Sequence, residues 1–120
     1  MTTIPGEYNF KIFQGSTFRR RFTFRDNDGN PINLTGSLLR LQCRPQFDST
    51  LKIIDIDSAS KGGITIIDAA GGVFEVELSA AATAAITEGG YYDIEMEATN
   101  GDVSRLFKGI ISIDPEATKA

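Results

Sequence analysis

Four arginines stand within seven residues, Arg19, Arg20, Arg21 and Arg25 in the stretch TFRRRFTFR. Guanidinium groups at this density can clasp carboxylates or phosphates through paired N–H donors. On an extended strand Arg19, Arg21 and Arg25 share one face, next-but-one residues lying about 7 Å apart. Two readings follow. The face meets acidic residues of a partner protein, where arginine is enriched. Alternatively it pairs with Glu75, Glu77, Glu95 or Glu97 on a neighbouring strand. Phosphate binding is disfavoured, because 16 acidic residues outnumber 12 basic ones and the net charge is −4. The carboxylates come as pairs two residues apart, Glu75 with Glu77 and Glu95 with Glu97. Glycoside hydrolysis needs two carboxyl groups facing each other across a cleft. Two on one strand parity line an outward face instead.

The remaining reactive types assemble nothing. The chain has no histidine. That excludes a Ser-His-Asp triad, a Cys-His pair and histidine metal ligands. Its one cysteine, Cys43, sits in an apolar run and reads as a small buried hydrophobe. Asp26-Asn27-Asp28-Gly29-Asn30-Pro31 begins like a calcium loop, but its glycine is fourth rather than sixth and Ser37 occupies the place of the bidentate glutamate. It reads as a hairpin turn. Asp55, Asp57 and Asp68 lack metal-ligand spacing. No catalytic, metal or cofactor-binding residue is assigned, and no enzyme is expected.

The elements that must position these side chains are short strands. The clearest is the hairpin from Gly89 to Ile113. Tyr92, Ile94, Met96 and Ala98 alternate with Tyr91, Asp93, Glu95 and Glu97, the period of a strand with one buried face. Asn100-Gly101 predicts a two-residue type I′ turn. Gly109 marks a bulge or a close backbone approach. Upstream, strands are predicted at Tyr8–Phe13, Thr17–Arg25, Ser37–Arg44, Leu51–Ile56, Ile64–Ile67 and Val73–Leu78. Arg20 shares the phenylalanine parity, so it is either re-aimed by a bulge or snorkels out at an open end. Ser79–Ile86 is the one helical stretch, capped by Ser79 and too short to stand alone. Tyr92, after a Gly-Gly turn, resembles a corner tyrosine whose hydroxyl bonds to upstream backbone.

These elements predict an all-β fold, an antiparallel immunoglobulin-like β-sandwich of seven or eight strands with one short helical turn. Tyr92, Ile94, Met96, Phe107, Ile111 and Ile113 are expected to share a core with Phe22, Phe24, Leu39, Leu41, Phe74 and Val76. With 120 residues, 41% hydrophobic and 23% charged, the chain reads as one domain. Residues 1–7 and 114–120 are expected to be polar extensions. The start MTTIPGEY lacks the features of a signal peptide, and no apolar run reaches membrane-spanning length. The chain is therefore expected to fold in a cytosol, with neither membrane nor nucleic acid as partner.

Several phrases carry a family resemblance. YNFKIFQGSTFRRRFTFRDNDGNPINLTG resembles the opening of small immunoglobulin-like proteins of tailed-bacteriophage virions, with an aromatic strand, a QG-x-T-F turn and a DG-x-P-hydrophobic-x-L-TG turn. LLRLQCR is similar to their next strand. GGYYDIEMEATNGDVSRLFKGIISIDPEAT resembles their YD-hydrophobic-E hairpin and closing P-E-x-T phrase. Residues 46–72 match least. The group includes tail collar, baseplate and LtfC-like tail-fibre connector proteins. The resemblance implies a virion structural protein working in a symmetric ring with copies of itself and other tail proteins. It implies no catalytic residues. The matched positions Gly15, Gly29, Pro31, Gly36, Tyr92, Asp93, Gly101, Gly109 and Pro115 look like turn and corner positions. On this reading the partner interface comprises Arg19, Arg21, Arg25, Glu95 and Glu97, or else the two chain ends, where the polar tail of residues 114–120 is long enough to reach a partner. Two rivals remain. One is a capsid decoration protein. The other is a carbohydrate-binding module for a host surface, for which outward Tyr91 is the one platform candidate.

Overall fold

Alternation of apolar and polar residues becomes nine strands and one helical turn in the computed structural model, which describes residues 6–118. The strands are β1 (Gly6–Glu7), β2 (Phe10–Phe13), β3 (Phe18–Thr23), β4 (Leu38–Arg44), β5 (Ile54–Asp57), β6 (Ile64–Asp68), β7 (Val73–Leu78), β8 (Gly90–Glu97) and β9 (Val103–Asp114). The helix α1 spans Ala80–Ala84. The fold is all-β. Residues 1–5 and 119–120, parts of the two expected extensions, lie outside the described residues. Gly6 and Glu7 are not extension but strand, and so is Asp114.

A six-stranded sheet has the order β1-β9-β8-β4-β5, with β2 also on β9. A three-stranded sheet has the order β3-β7-β6. The sequence predicted antiparallel sheets throughout, but the larger sheet is mixed. β1 and β2 both run parallel to β9. A hairpin can only make antiparallel neighbours, whereas parallel ones need a long connection. Here that connection is almost the whole chain between β2 and β9. β2 passes to the other sheet through the Gln14–Ser16 turn, where Ser16 N–H donates to Phe13 O at 3.1 Å and Gly15 has φ 84°.

The β1–β2 edge is fastened at its break. Tyr8 N–H donates to Lys108 O at 2.9 Å, and Asn9 Oδ1 accepts from Ile110 N–H at 2.9 Å. A Cβ on Gly109 would overlap the Tyr8 carbonyl oxygen, so Gly109 serves close approach. The bulge lies three residues earlier. Ile94 pairs with Phe107 and Glu95 with Arg105, leaving Leu106 as the extra residue. Leu106 is fully buried and Phe107 packs against the same core, so two consecutive side chains face inward. A strict period of two cannot express that.

Both sheets feed one core. Phe22 stacks on Phe74 at 5.4 Å, and Phe10 meets Tyr92 edge-on at 5.0 Å. The expected core residues are buried except Phe107 and Ile113, which are partly buried against it. Burying each large apolar side chain contributes about 1.5–3 kcal/mol. β5 begins later than predicted, at Ile54 rather than Leu51, because the chain after Pro45 loops away before Ile53 N–H reaches Cys43 O.

The helical turn forms as expected but is shorter. Ser79 Oγ accepts from Ala82 N–H at 3.1 Å. Five residues cannot hold a helix by propensity. Buried Thr83 donates its hydroxyl to Ser16 O at 2.8 Å and accepts from Gly15 N–H at 3.1 Å. Gln14 Nε2 covers the other end, donating to Ala84 O and Ile86 O. Its Oε1 accepts from Glu116 N–H at 3.3 Å, which docks the C-terminal segment on the same turn.

Candidate interaction surfaces

The arginine strand lies on the outward face of the three-stranded sheet. Register places Arg19 opposite Glu77 and Arg21 opposite Glu75. The ion pairs form at 2.5 Å and 3.0 Å. The Glu77 carboxylate raises the Arg19 pKa, chiefly through that hydrogen bond. Of the two readings of this face, the geometry shows cross-strand pairing within the chain. Arg25 does not share the strand. It lies beyond the end of β3, forms a bridge with Pro31, and donates to Gly29 O at 3.1 Å, tying its own turn. No bulge re-aims Arg20. Its guanidinium snorkels to the Tyr8 hydroxyl and lies 5.7 Å from the Tyr8 and Phe18 ring centroids.

The turn glycines Gly15, Gly29, Gly36 and Gly101 stand at positive φ, and the Asp26–Asn30 hairpin turn forms as predicted, but one turn differs in type. In the 98–102 hairpin, Gly101 has φ 91° and Asn100 stays negative. Gly101 N–H donates to Ala98 O at 2.9 Å, and Ala98 N–H donates to Asp102 O at 2.8 Å. That is a three-residue loop with glycine in the left-handed position, not a two-residue type I′ turn. The Asp26–Asn30 turn repeats it: Gly29 has φ 85°, Gly29 N–H donates to Asp26 O, and Asp26 N–H donates to Asn30 O. Gly36, φ 73°, closes the Leu34–Ser37 turn. Asp26 Oδ1 accepts from the backbone of Asp28 and Asn30, a turn role rather than a metal role.

Tyr92 bonds to upstream backbone, though not to a nearby corner. Its hydroxyl donates to Tyr8 O at 2.5 Å, pinning the first strands to the sheet. Burial pushes its pKa well up. Cys43 is buried too, and desolvation raises its thiol to about 12, leaving it unreactive.

The outward face of the larger sheet is organised differently. Register sets Arg40 beside Glu95, Gln42 beside Asp93 and Arg44 beside Tyr91. Arg40 lies loosely between two carboxylates, 3.7 Å from Glu95 and 3.6 Å from Glu97. Arg44 is held more firmly, donating to Ser49 O at 2.6 Å and Gln42 Oε1 at 3.0 Å. Gln42 in turn donates to Asp55 Oδ1 at 3.3 Å. The 45–53 loop lays Phe47 on Tyr91, ring centroids 4.9 Å apart and planes at 30°. Between these residues opens a cleft of about 340 Å³, lined by Arg40, Gln42, Arg44, Phe47, Asp93 and Glu95 among others.

Two carboxylates in one register row of this face titrate in opposite directions. Asp55 is lowered, first by its hydrogen bond from Lys61 at 2.7 Å and further by Lys52. Asp93 is raised, first by burial and then by Glu95, against the weaker pull of Arg105 and Arg44. Arg105 Nε stays 3.5 Å away. Among the described residues no hydrogen bond reaches the Asp93 carboxylate, and no group of three or more His, Cys, Asp or Glu residues could hold a metal ion.

The five predicted interface residues are thus not brought together. Arg19 and Arg21 lie on one sheet, Glu95 and Glu97 on the other, and Arg25 in a turn. Sequence reasoning missed Phe47, Gln42, Arg40 and Arg44 as a group around Tyr91. Phe47 lies in a loop without periodicity, and only strand register could assemble the rest. No protein-family model and no curated protein matches this chain.

Proposed function

We propose that this chain is an immunoglobulin-like structural subunit of a tailed-bacteriophage virion. On this reading it is a tail or baseplate component, or a tail-fibre connector, that joins copies of itself into a symmetric ring. The sheet order supports the fold reading. β9-β8-β4-β5 against β3-β7-β6 follows the G-F-C-C′ and B-E-D arrangement of immunoglobulin sandwiches, with Tyr92 near the start of the F-like strand. The virion reading rests on the resemblance of the sequence phrases; its glycines at 15, 29, 36 and 101 fall on positive-φ turns, which supports their turn role.

The observation that carries the ring is the placing of exposed apolar side chains at the two ends of β9. Val103, 53% exposed, begins the strand. Phe13, 57% exposed, pairs with Asp114 at its end. Eleven residue steps at about 3.3 Å separate them by roughly 36 Å. A ring contact is head-to-tail and needs two different patches on distant sides of the subunit. The arginines and glutamates already satisfied within the chain serve at most as its rim, where such pairs contribute little.

Antibodies against the chain, applied to purified particles of a phage that encodes it, are expected to label the tail. Particles without the protein sink the virion reading; labelling of the capsid makes it a decoration protein. The variant Phe13→Glu with Val103→Glu is expected to fold but to be missing from particles. Normal incorporation of that variant moves the ring contact elsewhere.

A further inference from the structure

The cleft around Asp93 has a chemistry that the assembly reading does not use. We propose that it is a saccharide-binding site, taking an uncharged sugar unit that stacks on Phe47 above Tyr91 while Arg40, Asp93 and Glu95 bond its hydroxyls. This inference stands independently of the virion assignment.

Three features of the cleft converge on that ligand. The first is the aromatic platform. Phe47 is 64% exposed, yet it is fixed in a stack on Tyr91. An aromatic face held outward beside polar groups suits a ligand with one apolar C–H face and a polar rim, as a pyranose ring has. The second is balance of charge. Arg40 and Arg44 stand against Asp93 and Glu95 in one lining. An anion entering would meet two carboxylates, and a cation two guanidinium groups. A polyhydroxyl ligand gives and accepts hydrogen bonds, so it satisfies both kinds at once.

The third is unspent bonding capacity. The Asp93 carboxylate is half-buried and accepts no hydrogen bond among the described residues, while its ion-pair partner stays at 3.5 Å. A carboxylate so placed gains from any hydroxyl donor that enters. Arg40 is likewise beyond hydrogen-bonding distance of Glu95 and Glu97, at 3.7 and 3.6 Å. By contrast Arg44 and Gln42 are committed to Ser49 and Asp55, which makes them the rigid wall. Except for Phe47, these side chains project from paired strands β4 and β8, so the site is preformed.

The test is titration of the full chain, followed by amide chemical shifts. The probes are the uncharged oligosaccharides maltohexaose and chitotetraose. At least one probe is expected to shift Phe47, Tyr91, Asp93 and Glu95 with a millimolar or tighter constant. Phe47→Ala and Asp93→Asn are each expected to weaken it about tenfold or more. Arg19→Gln, on the other sheet, is expected to leave it unchanged. Phe47 and Asp93 lie outside the core, and an unchanged spectrum elsewhere shows that the variants fold. No shift with any probe overturns the proposal. So does binding indifferent to Phe47→Ala, or shifts at these residues that follow protein concentration alone, which would make the cleft a contact with a second copy. Incorporation of Phe47→Ala into particles reads the virion assignment separately.

Discussion

The two outward faces begin from the same sequence device and end as different surfaces. Each is a strand pair whose outer parity carries arginine opposite glutamate. On β3 and β7 each arginine finds one glutamate directly across, and the Arg19 and Arg21 side chains stay 62% exposed. Arg19 and Glu77 both stay half or more exposed, so water screens that pair, while Glu75 is covered but held by Arg21 at 3.0 Å. On β4 and β8 the strands are central, with β5 and β9 on either side. Neighbouring rows and the 45–53 loop shield the polar groups, and Asp93 loses hydration without gaining a close partner. Charge alternation specifies pairing, while the distance to the opposite charge decides whether a covered carboxylate is hydrogen-bonded in place, as Glu75 is by Arg21, or is left without a hydrogen bond, as Asp93 is.

The largest effect should come from the core beneath both faces. Ile94→Ala is expected to cost about 2–5 kcal/mol in denaturant unfolding, the range for truncating a fully buried aliphatic residue. A midpoint close to wild type would mean that the β8 register is wrong and the compared faces are not the outward ones.

Next is the latch that gives the larger sheet its parallel edge. Tyr92→Phe keeps the ring and removes the donor to the Tyr8 carbonyl. The expected cost is about 1–3 kcal/mol, that of leaving a shielded acceptor without its partner. Hydrogen exchange should quicken at Tyr8 and Ile110 before it quickens in β3. Uniform quickening would show that the edge is not held separately.

Asp93 and Asp55, on one face, should give stability opposite dependences on pH. The folded-state pKa of Asp93 is raised, so its contribution is fully present below the ordinary carboxyl value of 3.8 and is lost as pH rises through the raised value. Asp55 is lowered, so its contribution is present above 3.8 and is lost as pH falls through the lowered value. Asp93→Asn should therefore gain stability relative to wild type as pH rises from acid to neutral. Asp55→Asn should lose it over the same change. Parallel curves for the two variants would remove the asymmetry.

The smallest effect belongs to the exposed face. A double-mutant cycle on Arg19 and Glu77, both half or more exposed, should give a weak coupling that fades with added salt. A larger, salt-insensitive coupling would make this face the equal of the other.

By itself the sequence determined the strands, most of the core and the need for glycine at the turns. Those are local matters. Alternation in YYDIEME sets which side chains share a face, Ser79 marks where a helical turn starts, and Gly29 and Gly101 meet backbone angles that other residues avoid. The tertiary structure decided everything that depends on which strands are neighbours. Arg19 and Arg21 were legible as a face, but only register set Glu77 and Glu75 against them rather than a partner's carboxylates. The parallel edge of β1 and β2 joins residues about a hundred positions apart, a distance no periodicity spans. The Leu106 bulge inserts one residue into a pattern that presumes none. Phe47 lies in a loop where spacing carries no signal, and it reaches Tyr91 because β4 ends with Arg44 opposite Tyr91 and the loop turns over that row. Side-chain direction along a strand is fixed by the backbone repeat. The company a side chain keeps is fixed by packing, and the candidate saccharide cleft is a matter of company.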